Sequence, residues 1–428
     1  MNLWVIDARG KRLFRASHPV PRGSQYGKSR LNVPCRLAPM FAAGLLLSGC
    51  HEIKPAVSMP IPARDLAAAS SKIQGATILD IGRFEPTVPI GMRCRIRPLK
   101  IAVSAPSVAL ATALEQARSY SLEQKGVSLL VMRNGEVIHR SFAMGVNETT
   151  PTDSFSMHKS VLALVFGKAL QEGLIKSLDD PVGDYIDEWR NDPRGAITLR
   201  QFLTMSSGLN LTTSQTESLE LLLSSDIDAV ALRKPLADPP GTVFGYSNAN
   251  SQIAGIALER VIKRAGYFGY AEYLEKKIWC PIGNNSGALW LDRIGGSPHY
   301  YSGLFTNIEN WARIGELIRN QGRAGGKQVI PAQWIAQMGQ PSALNSSYGI
   351  HIWLGSPWVA KRRYNQKNPI TVVHSAPYLA DDVLFFDGFG GQRVYIVPSA
   401  GLTIVRTGQV NFDYDDARIV NLVLAAMQ

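Results

Sequence analysis

The chain has 428 residues, of which 45% are hydrophobic, so it can bury one large core or two to three ordinary ones. Its formal net charge of +11 suggests a nucleic-acid-binding protein, but residues 1–50 hold eight Lys or Arg against one acid. The other residues hold 37 basic against 33 acidic side chains, too small an excess for a nucleic-acid footprint. We therefore expect no nucleic-acid partner.

The first 50 residues are typical of an export signal. A basic segment precedes the apolar run LAPMFAAGLLLSGC, residues 37–50, which is too short for a membrane span and ends in small residues. Its end, L-S-G-C at 47–50, resembles the lipobox of bacterial lipoproteins, which implies cleavage before Cys50 and lipidation of that cysteine. The alternatives are an ordinary cleaved signal with a chance cysteine, or a core helix.

The lipobox implies a place for the mature protein. Acyl chains on Cys50 would anchor it to a bilayer surface as a periplasm-facing lipoprotein. His51 follows the cysteine, where enteric lipoproteins retained in the inner membrane carry aspartate. We therefore expect the outer membrane.

Two cysteines, Cys94 and Cys280, remain if Cys35 is removed with the leader and Cys50 is lipidated. In an exported protein they could form a disulfide, but two unpaired buried thiols fit the sequence equally well. No spacing of ligand-type residues indicates a metal site, and we expect no cofactor.

The N-terminal part of the chain changes from irregular to regular. Residues 51–105 are rich in Pro, Ala and Ser and are interpreted as a tether and an irregular extension. Ordered structure is expected to begin with an amphipathic helix over 107–122. The next run, 126–145, predicts a β-hairpin because two strand-like segments flank Asn134-Gly135.

Strand patterns return near the C-terminus. Alternating runs at 393–397 and 402–407 flank a Pro-Ser-Ala-Gly turn, and a last helix is predicted over 413–427. The long middle section has helical periods and loops.

This order of elements predicts a two-lobed α+β fold. Strands from both chain ends, about 106–150 and 345–428, would share one antiparallel sheet flanked by the terminal helices. The insertion, about 150–345, would form a large all-helical lobe within a domain spanning 106–428. A cleft between the lobes is then the expected place for a site.

A serine and a lysine open the first helix of the predicted insertion. In DSFSMHKSVLALVFGKALQEG, residues 153–173, Ser156 and Lys159 are spaced i, i+3 and share a helix face. A serine hydroxyl needs a base to become a nucleophile, and a buried lysine with a lowered pKa can be that base. The helix N-terminus would also favour an oxyanion at Ser156. The alternative is an ordinary N-cap serine with a lysine that reaches solvent.

A second motif, Tyr246-Ser247-Asn248, lies at a predicted loop-to-helix junction about 90 residues later. A phenol near a buried lysine can share its proton and relay it. The amide of Asn248 offers both a donor and an acceptor. The alternative is a partly buried core tyrosine with a helix N-cap asparagine.

Together S-x-x-K and Y-x-N resemble the serine β-lactamases of class C and their relatives, the D-alanyl-D-alanine peptidases, esterases and amide hydrolases. The resemblance covers about residues 105–428 and implies a β-lactamase/transpeptidase-like fold. It implies an acyl-enzyme in which Ser156 attacks an ester or amide carbonyl of a small-molecule substrate. It further implies that Lys159 and Tyr246 share the proton and that Asn248 orients Lys159 or the substrate.

The family's third motif departs from its usual form. That motif offers Lys or His, a small residue and Gly, but the corresponding stretch here is FFDGFGGQRVY, residues 385–395. Gly388 and Gly390 would let a strand approach the substrate closely. A backbone N–H of Phe389 or Gly390 could complete an oxyanion hole with that of Ser156. Arg393 could replace the lost cation or face solvent.

The missing cation bears on the substrate, because in β-lactamases and peptidases it helps to hold the substrate carboxylate. Its absence favours the esterase and amide-hydrolase branch, which includes 6-aminohexanoate-dimer hydrolases. A true β-lactamase or D-alanyl-D-alanine carboxypeptidase is the alternative, and a non-catalytic binding protein on the same fold is a second one. His158, next to Lys159, is interpreted as structural. Nothing in the sequence indicates the oligomeric state.

Overall fold

The computed structural model describes residues 63–210, 215–365 and 370–428 of the chain. The expected signal segment 1–50, with its lipidation site Cys50, lies outside the described residues. In the part of the chain that is described, no helix combines the length and apolar character needed to cross a membrane.

The α-helices of the described residues are numbered in chain order: α1 Ala63–Ile73, α2 Val108–Glu123, α3 His158–Gln171, α4 Leu199–Leu203, α5 Gln215–Leu223, α6 Ile227–Leu232, α7 Asn248–Arg264, α8 Tyr270–Leu274, α9 Ile308–Arg319, α10 Ala332–Met338 and α11 Asp416–Ala425. The strands are β1 Thr87–Ile90, β2 Lys100–Ile101, β3 Gly126–Arg133, β4 Glu136–Phe142, β5 Thr152–Asp153, β6 Gly287–Trp290, β7 Leu304–Thr306, β8 Arg323–Ala324, β9 Lys327–Gln328, β10 Trp353–Leu354, β11 Lys361–Arg363, β12 Thr371–Val373, β13 Leu384–Gly388, β14 Gln392–Val397 and β15 Leu402–Gly408.

The main sheet joins strands from both ends of the chain. Its order is β10-β13-β14-β15-β3-β4-β2, and all neighbours are antiparallel except β2 and β4. The chain ends meet where β15 pairs with β3. The β3–β4 hairpin turns at Asn134 and Gly135, whose φ angles of 51° and 83° suit a primed turn. The predicted sheet from the chain ends and its hairpin are confirmed.

Helices cover both faces of the main sheet. The predicted terminal helices, α2 and α11, pack on one face, and α9 packs on the other. Because both faces are covered, every residue of β14 and β15 is buried, charged ones included. The main sheet with α2 and α11 is called the sheet lobe below, and the residues between β4 and β10 the helical lobe.

Two features of the fold differ from the prediction. A second sheet, in the order β1-β6-β7-β5, takes three of its four strands from the helical lobe, so the insertion is not all-helical. Ordered structure also begins earlier than expected, with α1 and β1 in the N-terminal extension. These strands have two to four residues, and β1 pairs with a strand almost 200 positions away. Such short segments show no visible alternation, which is why the sequence did not indicate them.

The disulfide Cys94–Cys280 fastens the N-terminal extension to the helical lobe. The two Cα atoms are 4.9 Å apart, and the bond joins residues 186 positions apart. Of the two alternatives that the sequence left open, the structure has the disulfide. Closing so long a loop removes conformational freedom from the unfolded chain.

Candidate active site

Ser156 lies on a tight turn at the start of the helical lobe. It belongs to a 3₁₀ helix, Phe155–Met157, that leads directly into α3, so it precedes the α-helix instead of lying on it. Phe155 has φ 44°, a left-handed conformation that is unfavourable for a bulky residue. Its backbone N–H donates to Asp153 Oδ1 at 2.9 Å, which holds the turn in place. Burial raises the pKa of Asp153 to about 6, against the lowering effect of this hydrogen bond.

Lys159 is buried among neutral oxygen atoms. The residue is only 1% exposed. Its Nζ is hydrogen-bonded to Ser156 Oγ and to Asn248 Oδ1, both at 2.8 Å. A third bond goes to the backbone carbonyl of Tyr301 at 3.1 Å. Burial lowers the pKa of Lys159 well below its ordinary value, and the negative charge of Asp387 only partly opposes this. When the amine is neutral, its two N–H groups can serve Asn248 and Tyr301, and its lone pair can accept the serine proton.

The start of α7 is arranged so that Asn248 is available to Lys159. The N-cap is Ser247, whose Oγ accepts from the N–H of Ala249 at 3.2 Å. Asn248 is the first residue of the helix and is exposed. The interpretation of Asn248 as an N-cap and of Lys159 as a solvent-reaching side chain therefore does not hold.

Tyr246 completes the cluster around the serine. Its hydroxyl shares a hydrogen bond with that of Ser156, and its ring centroid is 4.9 Å from Lys159 Nζ. Burial, with the nearby charge of Asp387, raises the pKa of Tyr246 well above 10, although the bond to Ser156 opposes the rise. The phenol therefore keeps its proton under conditions in which the lysine has lost one.

The residues that hold Tyr246 come from a segment that sequence reasoning missed. The backbone N–H of Tyr246 donates to the Tyr364 carbonyl at 3.0 Å, and Asn365 Nδ2 donates to the Tyr246 carbonyl at 3.1 Å. The rings of Tyr348, Trp353 and Tyr364 surround the Tyr246 ring with centroid distances of 5.3–5.9 Å. Only the aromatic richness of this stretch could have drawn attention to it.

Strand β13 ends against the turn that carries the serine. A side chain at Gly388 would place its Cβ 2.6 Å from the Ser154 carbonyl oxygen, so this close approach requires glycine. The turn Phe389–Gly391 follows at once. Among the described residues, no backbone acceptor bonds the N–H of Phe389 or Gly390, and Ser156 lies in the first turn of its 3₁₀ helix, where N–H groups commonly lack a partner within the helix. These donors are thus available to a developing oxyanion.

Arg393 does not replace the missing cation and does not face solvent. It is 1% exposed and lies on the α11 face of the sheet. It belongs to a charge cluster of Arg362, Asp387, Arg393 and Asp416. Arg393 pairs with Asp387 at 2.6 Å and Asp416 at 2.7 Å, and Arg362 pairs with Asp416 at 2.8 Å and Asp387 at 2.5 Å. Both expectations for Arg393 were wrong because helix α11 covers that face.

His158 makes only internal contacts. Its Nδ1 lies 2.8 Å from the Ser302 carbonyl oxygen, and its Nε2 lies 3.1 Å from the Tyr270 hydroxyl. Burial lowers the pKa of His158 to about 4, so the ring is neutral. These contacts agree with the predicted structural role. Across the described ranges, no group of three or more His, Cys, Asp or Glu side chains could hold a metal ion.

The sequence model of the Beta-lactamase family matches residues 111–426 of this chain. The chain belongs to the Beta-lactamase family. The predicted family is thereby confirmed, and with it the β-lactamase/transpeptidase-like fold. Ser156, Lys159, Tyr246 and Asn248 all lie within the matched region.

Related proteins carry several activities in their names. The chain is 22% identical over 270 residues to the 6-aminohexanoate-dimer hydrolase of Paenarthrobacter ureafaciens, covering 60% of this chain and 67% of that protein. It is 25% identical over 170 residues to protein flp of Staphylococcus aureus (strain COL), covering 37% of this chain but only 33% of that protein. The structure resembles that of a family VIII carboxylesterase with a TM-score of 0.57 and 18% identity, over 76% of this chain and 98% of the esterase. The Beta-lactamase family relatives thus include serine hydrolases of esters and amides.

Proposed function

We propose that this Beta-lactamase family member forms an acyl-enzyme on ester or amide bonds of small, neutral substrates. One observation carries the proposal: Nζ of buried Lys159 lies 2.8 Å from Ser156 Oγ, and its other hydrogen-bond partners are neutral oxygens. A buried amine that is not hydrogen-bonded to a carboxylate is costly to keep charged. A role as the base that activates Ser156 explains why the lysine is buried here.

Acylation follows from these contacts. Neutral Lys159 accepts the hydroxyl proton as Ser156 Oγ bonds to the carbonyl carbon. The oxyanion receives hydrogen bonds from the backbone N–H groups of Ser156 and Phe389. Tyr246 protonates the leaving oxygen or nitrogen as its bond to carbon breaks, and regains a proton from Lys159. In deacylation the same groups act in reverse on water.

The charges around the site favour neutral substrates. Arg362 and Arg393, which both pair with Asp387 of β13, are committed to the charge cluster. A substrate carboxylate placed there would lose a charge-assisted hydrogen bond worth about 1.5–3 kcal/mol. That loss corresponds to roughly ten- to a hundredfold in binding. The names of the 6-aminohexanoate-dimer hydrolase and of the carboxylesterase support the hydrolysis of amide or ester bonds.

The proposed function is tested by covalent labelling and a substrate panel. A fluorophosphonate probe should label the wild type at Ser156, located by peptide mass analysis, and leave Ser156→Ala unlabelled. The panel contains p-nitrophenyl acetate and butyrate, short amides, D-amino peptides and a cephalosporin. Ester or amide turnover should exceed cephalosporin turnover in kcat/KM. Efficient cephalosporin hydrolysis would instead indicate a β-lactamase, and no turnover with no labelling would indicate a binding protein.

We also propose that the protein is an exported lipoprotein anchored through Cys50, on the outer membrane. The lipobox-like sequence supports this, and so does the Cys94–Cys280 disulfide, since disulfides persist in oxidising compartments. Wild type should partition with membranes and be released only by detergent, whereas Cys50→Ser should be released without it. A wild type that stays in the soluble periplasmic fraction would contradict the anchor.

A further inference from the structure

Three phenylalanine side chains form a row beside the serine. The rings of Phe155 and Phe389 have centroids 6.0 Å apart, and those of Phe389 and Phe412 are 5.0 Å apart. They come from three segments: the turn before α3, the turn after β13, and the loop after β15. This phenylalanine row is therefore assembled by the fold and not by a local sequence motif.

The phenylalanine row is held in place yet accessible. The backbone N–H of Asn411 donates to the Gly390 carbonyl at 3.1 Å, which ties the loop before Phe412 to the turn after β13. Nevertheless Phe389 is 37% exposed and Phe412 is 46% exposed. When a ligand covers apolar surface that is fixed in place and in contact with water, the removal of that surface from water favours binding.

The position of the row relative to the reacting atoms indicates which part of a substrate would cover it. Phe155 directly precedes Ser156, and Phe389 carries an N–H proposed to bind the oxyanion. Tyr246, which would protonate the leaving group, is surrounded by a different set of rings, and within the described residues none of those rings contacts the phenylalanine row. A leaving group that is protonated by Tyr246 must face Tyr246, which leaves the other side of the carbonyl for the acyl substituent.

We propose that the phenylalanine row is the acyl-binding wall of this enzyme, and that its preferred substrates carry an apolar acyl group longer than acetyl. The inference rests on the proposed acyl-enzyme function and names the substrate class for it. When an acyl chain lies on two half-exposed phenyl rings, apolar surface of the chain and of the rings is removed from water. The row has no charged member, so an acyl group that ends in a charge would gain nothing from it.

The test varies the acyl group while the leaving group stays constant. With p-nitrophenyl acetate, butyrate and hexanoate, wild-type kcat/KM should rise by up to roughly fourfold for each methylene that the row covers. Phe412→Ala should lower the hexanoate-to-acetate ratio about tenfold, and Phe412→Leu should fall between it and the wild type. The matched control is Phe268→Ala, whose side chain is 91% exposed in the loop after α7 and should leave the ratio unchanged.

A second arm varies the alcohol of acetate esters. Phe412→Ala should leave that series as in the wild type, because the alcohol points towards Tyr246. A change in the alcohol series instead of the acyl series would overturn the proposal, since the row would then bind leaving groups. Unchanged ratios in both series, with Ser156 still labelled and esters still hydrolysed, would also overturn it while leaving the proposed function intact. Failure of labelling and of all turnover would overturn both.

Discussion

The charge cluster and Lys159 are both deeply buried, but their surroundings act on ionisable groups in opposite ways. In the charge cluster, each carboxylate of Asp387 and Asp416 meets two guanidinium groups. Burial alone would raise the pKa of Asp416, but Arg393 and Arg362 outweigh it and hold that pKa below its usual value. Lys159 is as deeply buried and is given only neutral acceptors, so its pKa falls.

The difference shows what burial does to charge. Buried ions that are fully paired remain ionised and cannot exchange protons readily, which suits a structural joint between β11, β13, β14 and α11. A buried amine surrounded by hydroxyl, amide and carbonyl oxygens becomes neutral and keeps a lone pair, which suits a base. Substitutions in the charge cluster should therefore change mainly the free energy of unfolding. Substitutions around Lys159 should change mainly the rate of catalysis.

The largest expected effect is on rate, from Lys159→Met. Removing the base should lower kcat/KM for p-nitrophenyl esters by about 10²–10⁴-fold. Its stability should be unchanged or higher, because methionine fills the same volume without a buried polar group. Denaturant unfolding and steady-state kinetics on the same preparations separate the two effects.

Lys168→Met is the matched control for this change. Lys168 lies on the same helix, α3, but its side chain is partly exposed and its Nζ is 3.7 Å from Glu172. Its replacement should leave the esterase rate unaltered. A Lys159→Met enzyme that retained wild-type kcat/KM would show that the lysine is not the base.

The next effect is on stability, from Asp416→Asn. The substitution leaves Arg362 and Arg393 sharing the single carboxylate of Asp387, and breaking a buried ion pair costs about 3–5 kcal/mol. The free energy of unfolding should fall by that amount, while kcat of the protein that remains folded should change little. Glu115→Gln, which removes an exposed ion pair with Arg118, should leave the unfolding midpoint unchanged. A loss at Asp416 no larger than at Glu115 would refute the structural role of the cluster.

The smallest expected effect comes from making the lysine site resemble the charge cluster. Asn248→Asp places a carboxylate where Lys159 Nζ now donates to an amide oxygen at 2.8 Å. The anion should raise the pKa of Lys159, although the exposure of Asn248 to solvent would screen its charge and limit the rise. Activity at neutral pH should fall about tenfold and recover as the pH is raised. Asn248→Ala is the control, and its loss of activity should show no such recovery.

The sequence predicted the parts of the site that depend on short-range geometry. Ser156 and Lys159 are three residues apart, and Tyr246 and Asn248 are two apart, so each pair is fixed by one turn of chain. The main sheet was also predictable, because β3, β4, β14 and β15 are long enough to show strand periodicity.

The rest depends on contacts between distant segments. The charge cluster joins positions 362, 387, 393 and 416, and strand alternation could not say where Arg393 points because both faces of the sheet are covered. The rings around Tyr246 come from 348–364, a stretch without regular periodicity. The pairing of β1 with β6 and the Cys94–Cys280 disulfide likewise rest on separations of nearly 200 residues.

The account's central claim, that Lys159 is a neutral base for Ser156, is tested most directly by the pH dependence of the labelling rate at Ser156. The wild type is treated with a fluorophosphonate probe across a pH series, and the second-order rate constant is measured by intact-protein mass. We expect the rate to rise with pH about a midpoint well below the ordinary lysine pKa of 10.5, and the dependence to disappear in Lys159→Met. A midpoint near 10.5, or the same profile in Lys159→Met, would contradict the claim.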